Sequence, residues 1–394
     1  MGKRMNKEAD IIIIGAGITG LATAHALACD GISVRIVDAY APAAMGSGWT
    51  LAGVRQSGRH PAELALARDA VARWATLDDT LGAPTGYRRS GNLRLARTED
   101  EVPVIRRLVT EQAAAGLDIS LVDADGLRDM VPALAPDILC ASFCASDGQA
   151  EPVAVATAYH TALTRMGVRI DTGVRVTGLD ITQGRFSAIR TDAGRLTGGA
   201  CLVAAGIGTP GLLAPLGADL PLRTPLVTVV QTVPCDPCLG PVLGVANADM
   251  AARQQEDGRL RVSSGVAPWQ GHITEDAKGA PVASPTAGRL AQTIATVSRT
   301  LPILKDTPVE TFWGGVIDLT PDGLPALDAV PGIDGLFCAA GFSGHGFGIG
   351  PATGHAMAAL ITGRTPDIDL SPFVLSRFAG RDASQDSTGP ELHG

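Results

Sequence analysis

The chain has 394 residues, 45% of them hydrophobic and 18% charged, with a net charge of −8. That length buries a large core, most simply as two domains, and the composition excludes a disordered or fibrous protein. The acidic balance, without any Lys/Arg-rich stripe, excludes nucleic acid as a partner and makes anionic membrane surfaces unattractive.

The start, MGKRMNKEAD, is positively charged, but the apolar stretch behind it is broken by glycines and shows no small-residue cleavage site. No apolar run reaches membrane-spanning length, so a cytoplasmic protein without membrane insertion is expected. Seven cysteines, an odd number, fit a reducing compartment. Residues 10–20 read DIIIIGAGITG. Four isoleucines suit a strand covered on both faces, Gly15, Gly17 and Gly20 make a G-x-G-x-x-G turn, and ITGLATAHALACD continues as a helix. The next apolar run, GISVRIVD, is a second strand closed by Asp38. This is a β-α-β dinucleotide site: the glycines let backbone approach a pyrophosphate at a helix start, and Asp38 accepts hydrogen bonds from a ribose and disfavours a 2′-phosphate.

Further along, APAAMGSGWTLAGVRQSGR is a long glycine-rich loop of the kind that carries function. PAELALARDAVARWATLDDTLG has helical spacing, GYRRSGNLRLAR reads as a hairpin-like strand, and TEDEVPVIRRLVTEQAAAG as a helix. DGLRDMVPALAPDILCASFCASDGQAEP reads as irregular and proline-marked, ending where PVAVATAYHTALTRMG begins a helix. Several short strands follow up to CLVAAG, which runs into GIGTPGLLAPLG. Residues 222–264 are strand-rich, and PTAGRLAQTIATVSRTLP is a helix. The last third repeats the opening pattern, with strand GLFCAAG, glycine loop GFSGHGFGIG, then a helix beginning near Gly350 with Pro351 in its first turn and Gly363 as its stop. Residues 381–394 are polar and expected to be disordered. Cys235-Asp-Pro-Cys238, with Cys140 and Cys144 far away, reads as a turn carrying two ordinary thiols, and no metal is expected.

The order of elements predicts an α/β fold: a Rossmann-type domain assembled from residues 1–85, 150–220 and 310–380, with an inserted α+β substrate domain, 86–149 and 221–309, built on a mixed antiparallel sheet. A second glycine-rich strand-to-helix turn at the far end favours FAD over a nicotinamide. Its helix start would face the flavin edge where negative charge accumulates.

The set GAGITG with Asp38, SGWTLAGVRQSGR, DGQAEP, CLVAAGIGTPGLLAPLG, TFWGGVIDLTPDGLPALD and GLFCAAGFSGHGFGIGPATG resembles the D-amino acid oxidase-like FAD oxidoreductases. The resemblance is to the glycine oxidase, sarcosine oxidase and opine or hydroxyproline dehydrogenase branch, and runs from Ile11 to about Gly363. It implies that Gly15, Ala16, Gly17, Ile18, Thr19 and Gly20 hold the pyrophosphate and that Asp38, with Ala39, meets the ribose. Gly46, Ser47, Ala52, Gly53 and Val54 would lie along the flavin, Val174 would contact adenine through its backbone, and Ala205 and Gly206 would close the adenosine side. Gly341, Gly344, His345, Gly346, Phe347, Gly348 and Ile349 would lie beside the isoalloxazine.

The resemblance also implies hydride transfer from the carbon beside an amine to flavin N5, with the substrate carboxylate held by an arginine fork. Among 28 arginines, Arg55 and Arg59 are the first choices and Arg89 a third. His345 reads either as a group that bonds substrate or flavin and titrates near neutrality, or as one that packs on the ring. Trp313 and Trp49 are candidate cavity walls. Gly314, Gly315 and Val316 stand where some relatives carry the cysteine that tethers the flavin, so FAD should be non-covalent. The four lysines, at 3, 7, 278 and 305, avoid the positions, Gly348 and the strand from about Arg261 to Trp269, where some oxidase relatives place one. A dehydrogenase with an external electron acceptor is therefore expected, acting on a small amino or imino acid, with cis-4-hydroxy-D-proline or a related D-proline leading. Alternatives are the flavin subunit of a multi-subunit opine, sarcosine or hydroxyproline dehydrogenase, and a non-catalytic flavin-binding electron-transfer or assembly subunit. Partner subunits or a homo-oligomer accompany these readings.

Overall fold

The computed structural model describes residues 8–269 and 271–380, so the charged start and the tail expected to be disordered lie outside the described residues. The isoleucine strand, Ala9–Ile14, pairs in parallel with Gly194–Val203 on one side and Val34–Val37 on the other. Neighbours on both edges and helices on the faces leave Ile12 and Ile13 with no exposed surface, which is why the run is apolar without alternation. The sheet order is Ala326–Ala329, Leu336–Ala340, Gly194–Val203, Ala9–Ile14, Val34–Val37, Arg169–Asp171, with only the first of these antiparallel to its neighbour. An antiparallel pair, Arg185–Thr191 and Val176–Thr182, extends from Gly194–Val203. The first helix, Ile18–Cys29, packs against the last long one, Gly346–Ile361, so closely that a Cβ on Gly354 would lie 2.5 Å from the carbonyl carbon of Ala22.

A second sheet of eight strands is mostly antiparallel, in the order Val309–Val316, Leu226–Pro234, Arg259–Ala267, Met250–Gln254, Val242–Val245, Asn92–Ala96, Cys140–Cys144, Ile119–Asp123. Val242–Val245 and Asn92–Ala96 form its parallel pair. Its core, with Leu93, Leu95, Leu243 and Val262, is closed by the helix Ala287–Thr300, capped at its start by the Thr286 hydroxyl. The α/β fold with an inserted mixed-sheet unit is therefore as expected, and among the described residues no helix is long and apolar enough to cross a membrane.

Four local readings are corrected. The stretch read as irregular contains the helix Ala124–Met130 and the strand Cys140–Cys144; Pro132 and Pro136 break only the connection between them. Asn92–Ala96 is not half of a hairpin: distant segments flank it on both edges, and all five residues are buried. Val309–Val316 pairs with Leu226–Pro234 in the second sheet, so the C-terminal stretch rejoins the first sheet only at Ala326–Ala329. Finally, the last helix begins at Gly346 rather than near Gly350, putting Pro351 inside it. Pro351 removes only the N–H that would reach back to residue 347, and dense packing around this buried helix tolerates that loss.

Candidate active site

A cavity of about 810 Å3 lies between the two sheets. Small-molecule sites run from about 300 to 1,000 Å3, so this one suits a ligand as large as a dinucleotide. One part is built from the first β-α-β unit. Gly15 has φ +109°, and a Cβ there would overlap the Ala204 carbonyl, so only glycine lets the two loops meet. Gly17 offers no side chain at the helix start, and the Ile18 N–H is met by the Ser47 hydroxyl at 3.0 Å. Asp38 does more than wait for a ribose. Its carboxylate accepts the N–H of Ala16 at 2.6 Å and of Tyr40 at 2.8 Å, locking the turn. Burial raises its pKa, and those two bonds offset part of the rise. Val174 lines the cavity, but its N–H is taken by the Asp38 carbonyl at 3.0 Å. Arg175, which motif reading missed, lies 5.4 Å from the Tyr40 ring centre and donates to its hydroxyl at 3.2 Å.

Gly15, Gly17, Ile18, Thr19, Asp38 and Ala39 line this cavity, as do Gly46, Ser47, Gly53, Ala205 and Gly206. So do Gly344, His345, Gly346, Phe347 and Gly348 from the last glycine turn. Five expected residues stand behind the wall instead: Ala16, Ala52, Val54 and Ile349 are core side chains with little or no exposure, and Gly20 is buried under Gly15. Gly341 also stands back, donating its N–H to Asp318 at 2.8 Å. Asp318 lines the cavity, is partly buried, and is pushed up to about 6 by desolvation against several backbone N–H groups that pull it down. The turn is braced from outside by Trp74, whose indole donates to the Gly348 carbonyl at 2.7 Å and packs 5.4 Å from the Phe347 ring.

A charged cluster closes the other part of the cavity. Arg55 and Arg59 both line it, Arg59 buried and Arg55 partly so; desolvation lowers each pKa, yet a guanidinium stays charged at neutral pH. Nη1 of Arg59 has no hydrogen-bond partner among the described residues. Arg94 stands behind them, its Nε donating to the Val245 carbonyl at 3.0 Å. Opposite are Asp147, which binds the N–H of Gln56 at 2.9 Å and the Ser57 hydroxyl, and Glu63. Glu63 has no exposed surface; burial would raise its pKa, but His345, then Arg59 and Arg55, outweigh that and hold it at about 2. Among the described residues, and with His345 neutral, this cluster holds three guanidiniums and two carboxylates. An anionic ligand group would pair with the arginines that line the cavity.

Three expected roles need correction. His345 does not titrate near neutrality: burial, then the charge of Arg59, lowers its pKa to about 4 against the pull of Glu63, whose Oε2 is 3.3 Å from Nδ1. Trp313 does not line the cavity. It lies behind Trp49, which does, donating to the Trp49 carbonyl at 3.0 Å with Arg261 5.1 Å from its ring centre. Arg89 is exposed and points its Nε at the Ala145 carbonyl 3.3 Å away, outside the lining.

The family model described as "DAO: FAD dependent oxidoreductase" matches residues 10–360. An opine oxidase subunit of Rhizobium meliloti is 27% identical over 95% of this chain and 99% of its own length. Glycine oxidase of Pseudomonas putida is 26% identical over 94% of this chain and 98% of its own. Among solved structures, L-proline dehydrogenase from P. horikoshii superposes with a TM-score of 0.87 at 23% identity, over 96% of this chain and 100% of that one, a likeness of fold.

Proposed function

From the premise that this chain belongs to the DAO family of FAD-dependent oxidoreductases, we propose that it oxidises the C–N bond of a small amino or imino acid whose carboxylate is gripped by Arg59 and Arg55. The carrying observation is the arginine pair lining the cavity beside the glycine turn, with Nη1 of Arg59 buried and unbonded among the described residues. Bound non-covalently, FAD supplies the two-electron acceptor. The lining contains Gly315 and no cysteine, which supports the absence of a tether. Gly17, Ser47 and the helix start would hold its phosphates, and Gly344 to Gly348 its ring.

The remaining tasks fall to side chains. Arg59 and Arg55 orient the carboxylate, and the buried setting excludes water. His345, beside Glu63 with its pKa lowered to about 4, would meet the substrate amine as an uncharged imidazole at the cavity wall. Val242 touches Gly53 at 4.0 Å from an ideal Cβ and is paired with Asn92, so the wall there is short and apolar with one amide. A compact substrate such as cis-4-hydroxy-D-proline or a related D-proline suits that wall, and an acceptor other than oxygen completes the cycle.

A second reading makes the chain the flavin subunit of a larger assembly, because two relatives of matching length bear the names of opine oxidase and sarcosine oxidase subunits. One experiment tests both. The purified chain is mixed anaerobically with D- and L-amino acids, N-methylglycine, prolines and opines while the flavin absorbance is followed. Bleaching by a small amino or imino acid supports the first reading. Bleaching only after a partner chain is added favours the second, and a yellow protein inert in every mixture counts against both.

A further inference from the structure

The loop between Leu226–Pro234 and Val242–Val245 carries Cys235-Asp-Pro-Cys238, and neither cysteine lines the cavity. Gln254, only 5% exposed, fastens this loop. Its Oε1 accepts the N–H of Cys238 at 2.8 Å and of Leu239 at 3.1 Å. Its Nε2 donates to the carbonyls of Asp236 at 3.0 Å and Cys235 at 3.3 Å, and lies 3.4 Å from the Cys235 sulfur. From the other side the Cys235 N–H reaches the Gly258 carbonyl at 3.1 Å, and the Cys235 thiol donates to the same oxygen at 3.5 Å. One buried amide therefore fixes the backbone at both cysteines. The two cysteines stand three residues apart on this one fastened turn, and burial, then Cys235, pushes the Cys238 thiol up to about 11.

Both thiols are partly exposed, whereas Cys140, Cys144, Cys201 and Cys338 are buried and Cys29 is exposed without a neighbouring cysteine in its helix. Among the described residues no group of three or more His, Cys, Asp or Glu converges as a metal site, so the pair lacks the further ligands zinc requires. A short disulfide needs two accessible sulfurs on backbones held within about 7 Å of one another, and Gln254 ties the backbone at both cysteines to one amide. Because the ends are held together beforehand, closing the ring costs little further entropy.

We propose that Cys235 and Cys238 form a dithiol–disulfide exchange site whose co-reactant is a low-molecular-weight disulfide. One cysteine loses its proton to solvent and its thiolate attacks a sulfur of that disulfide, giving a mixed disulfide and one released thiol. The second cysteine, deprotonated in turn, attacks the first cysteine's sulfur and releases the second thiol. Two protein thiols are oxidised, one external disulfide is reduced to two thiols, and the two protons balance them. Burial raises the Cys238 thiol rather than favouring its thiolate, so the reduced form gains no special stability: exchange is slow at neutral pH and the ring, once closed, persists.

The test uses the full-length FAD-loaded protein, incubated with glutathione disulfide, quenched with an alkylating agent and mapped by peptide mass. The expected result is loss of two alkylatable thiols per chain, a Cys235–Cys238 cross-linked peptide lighter by two hydrogens, and recovery of both thiols with dithiothreitol. Cys29 on the same chain is the internal reference, since it can stop only at the mixed disulfide. Gln254→Ala should slow ring closure relative to Cys29 glutathionylation, and Cys235→Ser should trap glutathione on Cys238. Persistent mixed disulfides at Cys235 or Cys238 in the wild type, full alkylation of both thiols, or equal closure in Gln254→Ala would each overturn the proposal.

Discussion

Glu63 Oε2 stands 3.3 Å from Nδ1 of His345, and both side chains are almost wholly out of solvent. Burial, then the charge of Arg59, keeps the imidazole neutral beside this ionised carboxylate. The sign of the pH response follows. A histidine whose folded pKa is about 4 contributes stability above its unfolded value near 6.5, and loses it as pH falls from 6.5 toward 4. Asp318, raised to about 6, acts oppositely: its contribution is full below its unfolded value and is lost as pH rises through 6. Each is worth on the order of 3 kcal/mol, and between pH 4 and 6 they largely cancel. Thermal midpoints should separate them. His345→Gln should gain on the wild type as pH drops below 6.5, and Asp318→Asn should gain as pH rises from 3.8 to about 6 and hold that gain above it. The activity profile between pH 6 and 8 should contain no ionisation belonging to His345; an inflection near neutrality that vanishes in His345→Gln would contradict this.

Gly17→Asp should abolish FAD retention. A Cβ at Gly17 already lies 3.2 Å from the Ser47 hydroxyl, and a carboxylate there sets negative charge where phosphate meets the helix start. Absorbance of the purified variant checks it: a flavin-to-protein ratio equal to wild type would mean the opening turn does not hold the cofactor.

Arg59→Ala should raise KM for a carboxylate substrate by an amount equivalent to about 2–4 kcal/mol, leaving FAD occupancy intact. The control is the decarboxylated amine, for which wild type and variant should differ little. Arg59→Lys should recover only part of the loss, because an ammonium cannot form the two-pronged contact. If the amine suffers as much as the amino acid, Arg59 supports the fold rather than the carboxylate.

Much of this was legible because it is local. The isoleucine strand, the three glycines and Asp38 sit within one β-α-β unit, where spacing alone sets geometry. The last glycine turn was legible for the same reason, although its helix begins earlier than Pro351 suggested. What escaped reading depends on distant segments meeting. Glu63, in PAELALA, carries no local signal, and only the approach of the 341–348 turn makes it the partner of His345. Arg94 and Asp147 join Arg55 through the second sheet, whose strands Asn92–Ala96 and Cys140–Cys144 carry no clear alternation. Trp313 failed for the converse reason: it shares a strand face with Gly315 two residues on, but Trp49 lies against both, so Gly315 and Trp49 line the cavity and the Trp313 indole does not.

The electron acceptor is the last expected outcome. No lysine lines the cavity, and Gly348 cannot readily become one, because a Cβ there would lie 2.9 Å from the Gly53 carbonyl. The nearest cation to that spot is Arg59, whose Nη2 would be 3.6 Å from the same Cβ. Its charge is not free for oxygen: Glu63 draws on it, and the substrate or product carboxylate draws on it further. Stabilising a newly formed superoxide requires an uncommitted positive charge near the flavin. With product bound, reduced enzyme should therefore reoxidise in air more slowly than it turns over with a dye or quinone. Stopped-flow reoxidation in air-saturated buffer, with and without product, decides the matter. Reoxidation that stays slow, and slows further with added product, fits an external acceptor. A rate at or above substrate turnover would make oxygen the acceptor, with Arg59 standing in for the missing lysine.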